Sequence, residues 1–521
     1  MPARLLVLGI DAANPALVRA WTADGTMPTL GRLFAAGAHG TVQTAHGFFP
    51  ATWPCFYTGC SPAEHGFHYG VQLRPGSYEL FAPGDGGLVR REPFWRPLGR
   101  AGRRVAILDV PMVGLDEAIN GVHLVEWGGH DAVYGLASWP PSLADEIVRC
   151  EGRHPQPPNC DARRETADDH RRFVEALEQG VEQRSHFARR VLARESWDLF
   201  LHVFSEAHCV GHQCWHLHDA THPAHDASIV RAIGDPLRRV YRAIDRSVGE
   251  ILEDAGDARV VVFSGHGMGH WYGAHFLLRD VLVRLGVTVA APPPAPGLAE
   301  RALLGAWHAL PDRLRTRLRR THDVRARAPA RRPIPGVDAA ASLCFPLANG
   351  LASTGIRLNL AGREPAGRIA PGDDARAFED ELAAALLEIV DERTERPLVR
   401  EVVRTRDRYR GRALDALPDL LVEWNDEVAT GSTSVGRGAG ATVRARSPRI
   451  GRVEGSNDYC RTGEHRNAGF VVATGAGLAP GPLAADVSVM DLAPTFAAML
   501  GVTLDGIDGV PVPALVSGRG A

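Results

Sequence analysis

The side chains best suited to chemistry are histidines with a few hydroxyls and carboxylates, and they are unevenly spread. In Phe204-Ser-Glu-Ala-His-Cys-Val-Gly-His-Gln-Cys-Trp-His216, His208 and His212 lie four residues apart. On a helix that spacing turns both imidazoles to one side, the arrangement of two-histidine metal sites. A lone buried histidine is usually structural, whereas this local density points to a metal. Val262-Phe-Ser-Gly-His-Gly-Met-Gly-His270 offers His266 between glycines that permit close backbone approach, and Gly463-Glu-His-Arg466 offers His465. Asp11 follows an apolar run at 5–10, where a carboxylate either meets a cation at a strand tip or caps the next helix. Thr52 lies in Phe49-Pro-Ala-Thr-Trp-Pro-Cys-Phe-Tyr-Thr-Gly-Cys-Ser-Pro-Ala-Glu-His-Gly66 at a loop-to-helix junction. Its hydroxyl there either stands beside helix amides that attract anions or serves as a plain cap.

Short apolar runs must position these groups. Those at 5–10, 104–110, 199–204, 259–264, 419–423 and 469–474 are apolar on both faces, as in a parallel sheet covered by helices. The fold class is therefore α/β, a doubly wound, mostly parallel sheet sandwiched by helices. Ligands gather at the carboxyl ends of such strands, which brings Asp11, Glu206, His208 and His266 to one rim. Trp53, Phe56, Tyr57 and Trp215 flank that rim. Trp53 and Trp215 are candidates to stack on a substrate group, with core packing as the alternative. Residues 141–197 read as a helical, solvated outer layer. Prolines at 292–296 and arginines through 313–333 read as an insertion or linker, followed by a strand at 355–360, an amphipathic helix at 375–393 and a flexible loop at 431–440.

Composition narrows the function. The 521 residues carry a formal charge of -3, and every one of the 58 basic residues is arginine. A catalytic lysine is thereby excluded, and no basic surplus supports binding to a nucleic-acid polymer or an anionic membrane. No run approaches the ~20 apolar residues of a spanning helix. The apolar opening lacks a cleavage signal and runs into Asp11, so it reads as a buried first strand of a cytoplasmic protein. Eight cysteines without a CxxC pair read as free thiols.

In this order, Asp11, Thr52, His208/His212, His266 and His465 resemble the alkaline phosphatase superfamily, in its type I phosphodiesterase/nucleotide pyrophosphatase and phosphohydrolase/phosphomutase branches. The likeness extends through Thr-Trp-Pro and Tyr-Thr-Gly near Thr52, Asn359-Leu-Ala-Gly-Arg-Glu-Pro365, Pro418-Asp-Leu-Leu-Val422 and Asp491-Leu-Ala-Pro-Thr495. It implies a metal-binding core at 1–285 and 450–521, with 286–449 as an inserted cap. It also implies divalent ions, usually two zincs, with manganese or iron as alternatives, acting on a phosphodiester, pyrophosphate or phosphonate-type ester. By this resemblance Asp11, Thr52 and His266 would hold one ion and His208, His212 and His465 the other. Thr52 would be the nucleophile and a small anionic ester the substrate. Arylsulfatase chemistry is disfavoured, because the nucleophile position lacks the C-x-P-x-R setting.

Two departures matter. The family's Asp-x-x-x-His reads His208-Cys-Val-Gly-His212, and its Ser-Asp-His-Gly reads Ser264-Gly-His-Gly267. Histidine replaces the first aspartate readily; glycine cannot replace the second. Glu206, or else Asp219, His270 or Glu464, is expected to make up the missing carboxylate. Three functions stay open: a hydrolase with two ions or one, a phosphotransferase or phosphomutase, and a non-catalytic anion binder. With one tri-histidine ion, water would attack directly and Thr52 would serve as a hydroxyl donor.

Overall fold

A computed structural model describes residues 3–82, 89–128, 134–156, 161–291, 332–435 and 438–516. The arginine-rich stretch expected as a linker lies almost wholly outside them. The chain is built on a ten-stranded sheet. Ala3–Ile10 sits at its centre, parallel to Trp197–Phe204 on one side and to Arg259–Ser264 on the other. Val105–Leu108 and Gly121–Val125 extend the parallel set.

The central strands bury both faces. Leu6, Leu8 and Ile10 enter one core with the helices Pro15–Ala23, Ala167–Leu192, Glu206–His218 and Pro236–Glu253. Leu5 and Val7 enter the other, with Thr52–Thr58, Trp95–Arg100 and Leu492–Met499. Each fully buried aliphatic side chain contributes about 1.5–3 kcal/mol, which holds the strand tips rigidly. This is the doubly wound α/β sandwich that the apolar runs predict.

Two of the six runs behave otherwise. Ala468–Thr474 joins the main sheet but runs antiparallel to Arg259–Ser264. Ser353–Leu358 and Leu420–Trp424 belong to a separate four-stranded antiparallel sheet with Cys344–Leu347 and Val399–Arg404. Leu420, Val422 and Trp424 pack into a third core, while Leu421 packs back into the second. Burial on both faces arises there because the small sheet is itself covered on both sides, a situation periodicity does not distinguish from a parallel interior.

The outer-layer reading of 141–197 also needs correction. Ala167–Leu192 carries charge on its solvent side, yet it buries Phe173, Leu177, Val181 and Arg184, the last 1% exposed. No helix among the described residues is long and apolar enough to cross a membrane. Cys55, Cys60, Cys150 and Cys344 are free thiols.

Candidate active site

Asp11 ends the central strand, and its loop is stitched in place. Its N–H donates to the Phe204 carbonyl (2.9 Å), and the Ala13 N–H donates to Ser264 Oγ (3.0 Å), which itself donates to the His266 carbonyl (2.7 Å). Ala12 adopts a left-handed φ of 55°, which non-glycine residues adopt mainly where the surroundings enforce it. Asn14, not Asp11, caps the following helix by accepting from the Leu17 N–H. The carboxylate of Asp11 is therefore free of capping. Its Oδ1 accepts from the Trp53 indole (2.9 Å), its Oδ2 lies 3.0 Å from His208 Nδ1, and His266 Nε2 lies 3.9 Å from Oδ1. Burial would raise this carboxyl, but His208, then His266 and the Trp53 N–H, outweigh it and hold the pKa at about 2.

The helix Glu206–His218 begins at the tip of Trp197–Phe204 and presents His208 and His212 side by side, as their spacing predicts. His465 arrives on Gly463–Arg466, paired antiparallel with Gly267–His270 so that Met268 faces His465 in register. The three Nε2 atoms converge at 2.8 Å (His208 to His212), 2.8 Å (His208 to His465) and 3.2 Å (His212 to His465).

The opposite nitrogens show why this matters. His212 Nδ1 meets the Gly463 carbonyl at 2.8 Å, so it must carry the proton. His208 Nδ1 faces the Asp11 carboxylate, and His465 Nδ1 lies 3.5 Å from Glu464 Oε1. The Gly463 carbonyl puts the His212 proton on its outer nitrogen and the Asp11 carboxylate favours the same at His208, while the three Nε2 atoms meet at one point, the arrangement of histidine metal sites. Ligands about 2.0–2.1 Å from a tetrahedral ion sit about 3.3 Å apart, which the His212–His465 separation of 3.2 Å matches and the two 2.8 Å separations approach from below. The residues present thus fit one divalent cation.

The second expected ligand set is arranged differently. Among the described residues, neither Asp11 nor His266 falls in any group of three candidate ligands. Thr52 is not a cap: its Oγ1 donates to the Phe49 carbonyl (2.8 Å) and lies 2.6 Å from Thr44 Oγ1. A Cβ at position 265 would sit 2.8 Å from Thr52 Cγ2, so the threonine methyl fills the space a side chain there would enter. Burial lowers the His266 pKa despite the nearby Asp11.

None of the expected substitute carboxylates turns to this place. Glu206 is 1% exposed and faces the other way, accepting from Arg184 Nε (2.6 Å) with His154 Nε2 at 3.1 Å. Although burial opposes it, Arg184 and His154 hold its carboxyl at about 2. Arg184 also binds Asp109, which explains why a helix with a charged face sends an arginine into the core. Asp219 binds Thr221, and the His270 ring meets the Asp426 carbonyl. Glu464 accepts from the His465 N–H (2.8 Å), and burial pushes its carboxyl to about 7.

Trp53 and Trp215 are 5% and 7% exposed and lie within the two cores, so neither presents an open ring face for stacking. Phe49, which sequence reasoning passed over, stacks on His465 with ring centroids 6.2 Å apart. Thr44, Ser264 and Arg461 were also missed; only Ser264 had a signal, its place in the Ser-Gly-His-Gly motif. A second group, His46, Glu401 and Glu423, is a charge latch. His46 Nε2 is 2.9 Å from Glu423 Oε1, while Arg400 and Arg408 already answer the two carboxylates.

No curated protein sequence matches the chain. Among solved structures, phosphonoacetate hydrolase from Sinorhizobium meliloti 1021, in complex with phosphonoformate, is similar at a TM-score of 0.52 and 14% identity, covering 96% of each chain. Murine ectonucleotide pyrophosphatase/phosphodiesterase 5 gives a TM-score of 0.46 at 12% identity over 97% of each chain. The family model described as type I phosphodiesterase / nucleotide pyrophosphatase matches residues 5–438, and the chain belongs to that family, within the alkaline phosphatase superfamily.

Proposed function

We propose that the chain is a metal-dependent hydrolase of phosphodiester, pyrophosphate or phosphonate-type esters that works with one divalent ion, zinc in the first instance. His208, His212 and His465 would hold it, with residues 286–449 as the inserted cap. The convergence of three Nε2 atoms carries this reading. A bound divalent ion supplies Lewis acidity and acidifies water.

The chain's own groups do the rest. The Gly463 carbonyl fixes the tautomer of His212, and the Asp11 carboxylate, 3.0 Å from His208 Nδ1, favours a proton on that nitrogen. The likeness to phosphonoacetate hydrolase, found with phosphonoformate bound, supports including phosphonates among the candidate substrates.

Thr52 as a covalent nucleophile is the family-derived version of the reaction. The hydrogen bonds of its hydroxyl favour direct displacement by water instead: they run to Phe49 O and Thr44, neither of which can serve as a base. The test is elemental mass spectrometry on protein purified without chelator, alongside assays with a phosphodiester, a nucleotide pyrophosphate and phosphonoacetate. About one ion per chain, with hydrolysis that chelation abolishes and zinc restores, is expected. Metal-free protein that hydrolyses any of these, or that ignores added zinc, manganese and iron, overturns the reading.

A further inference from the structure

The chain has 58 arginines and no lysine, so a permanently charged side chain that grips an anionic substrate must be an arginine. Among the described residues, Arg461 places a guanidinium nitrogen beside the ring nitrogens of the histidine cluster. It is 6% exposed and lies two residues before Gly463–Arg466. The segment is tied to the histidine helix, since the Thr462 N–H donates to the His212 carbonyl at 2.7 Å.

One edge of the guanidinium is gripped. Nε donates to Asp161 Oδ1 (2.7 Å) and Nη2 to Asp161 Oδ2 (2.8 Å), a two-bond fork that fixes its plane. Asp161 is held in turn by the Tyr459 hydroxyl (2.7 Å) and by Gln213 Nε2 (3.2 Å), and the Arg461 Cζ lies 5.2 Å from the Tyr459 ring centre. The other edge points inward: Nη1 lies 3.0 Å from His212 Nε2, the nitrogen that shares the point of convergence.

That placement is chemically specific. A lone pair given to a divalent ion can no longer accept from Nη1, and two cations a few ångströms apart repel strongly unless an anion lies between them. The acceptor that satisfies both is an oxygen of a tetrahedral oxyanion. We propose that Arg461 is the oxyanion-binding residue of this centre, positioned by Asp161 to take a phosphoryl or phosphonyl oxygen of the substrate. This deepens the single-ion reading above and rests on it.

The experiment reads phosphate affinity and metal content separately. Inorganic phosphate is titrated calorimetrically into metal-loaded wild type, Arg461→Gln, and the double variant Arg461→Gln/Asp161→Asn, with metal content measured on each sample. The double variant removes both charges and leaves no buried carboxylate without its partner, so it keeps the test alive should the single variant not fold. Unchanged metal content with phosphate binding weakened roughly 10- to 100-fold is expected, the range for loss of a charge-assisted hydrogen bond. Arg461→Lys, which keeps the charge without the fork, should fall between. Phosphate affinity within about twofold of wild type at full metal content overturns the assignment and leaves the metal centre standing. Loss of the ion from the Arg461 variants overturns it too, by making Arg461 part of the metal site. A wild type that takes up no metal defeats the underlying reading itself.

Discussion

Replacing Gly265 by alanine tests whether the place of the family's missing aspartate has been closed. The new Cβ would lie 2.8 Å from Thr52 Cγ2 and 3.2 Å from Val489 Cγ2, against an optimal carbon–carbon separation of about 3.5–4.0 Å. Thr52 is 1% exposed and cannot swing aside without breaking its bonds to Thr44 and the Phe49 carbonyl, each worth about 1 kcal/mol. Either route costs about 2–3 kcal/mol, within the usual range for overpacking. Thr52→Ser removes the obstructing methyl at a cost of about 1 kcal/mol for the lost burial, while keeping both hydrogen bonds. On that background Gly265→Ala should cost less than about 1 kcal/mol, a coupling of about 1–2 kcal/mol between the two positions. Urea unfolding of the four proteins, followed by tryptophan fluorescence and circular dichroism, measures it. Additivity within about 0.5 kcal/mol would refute the claim that the threonine methyl occupies this space.

The other predictions concern the metal and its supports. His212→Ala should lose the ion on gel filtration, as read by elemental mass spectrometry, and retained stoichiometry would remove His212 from the ligand set. Asp11→Asn should weaken metal affinity about 10- to 100-fold in a chelator competition, because it withdraws the carboxylate that orients His208. Thr52→Ala should lower the turnover rate by less than about tenfold if water displaces directly, whereas a loss of about a thousandfold or more would restore the covalent mechanism. Glu206→Gln should cost about 3–5 kcal/mol at neutral pH by leaving Arg184 underpaired in the core. Folding holds the Glu206 carboxyl at about 2 against 4.5 in a flexible chain, so its contribution is complete above pH 4.5 and is lost as pH falls toward 2. The stability gap between wild type and Glu206→Gln should narrow over that window in unfolding measured at several pH values.

The sequence made the histidines legible because their signals are local. Helical spacing placed His208 beside His212, and apolar runs ending at Asp11 and Glu206 marked strand tips. Direction was not legible. Glu206 lies two residues from His208, yet a helix turns side chains at that spacing to different faces, and an arginine 22 residues earlier in the chain claims its carboxylate. Arg461 was invisible for the same reason: its importance lies in Asp161, which pairs with it only across the fold; Thr44 lies just eight residues from Thr52, but in an irregular segment whose spacing carries no periodic signal.

The two departures from the family pattern, which look independent along the chain, form one physical change. Where the family has an aspartate, His208 contributes Nε2 to the cluster and turns Nδ1 to Asp11, drawing that carboxylate into support of the tri-histidine site. The two oxygens of Asp11 are thereby turned to Trp53 and His208, and His266 is left 3.9 Å from the carboxylate with its pKa lowered by burial. A site deprived of Asp11 gains nothing from an aspartate at 265, and glycine there lets the Thr52 methyl pack into the gap. It follows that reinstating one aspartate, as in Gly265→Asp, should not bring back a second ion. Only reverting both positions frees Asp11, and a second ion in the single variant would show that the two changes are uncoupled.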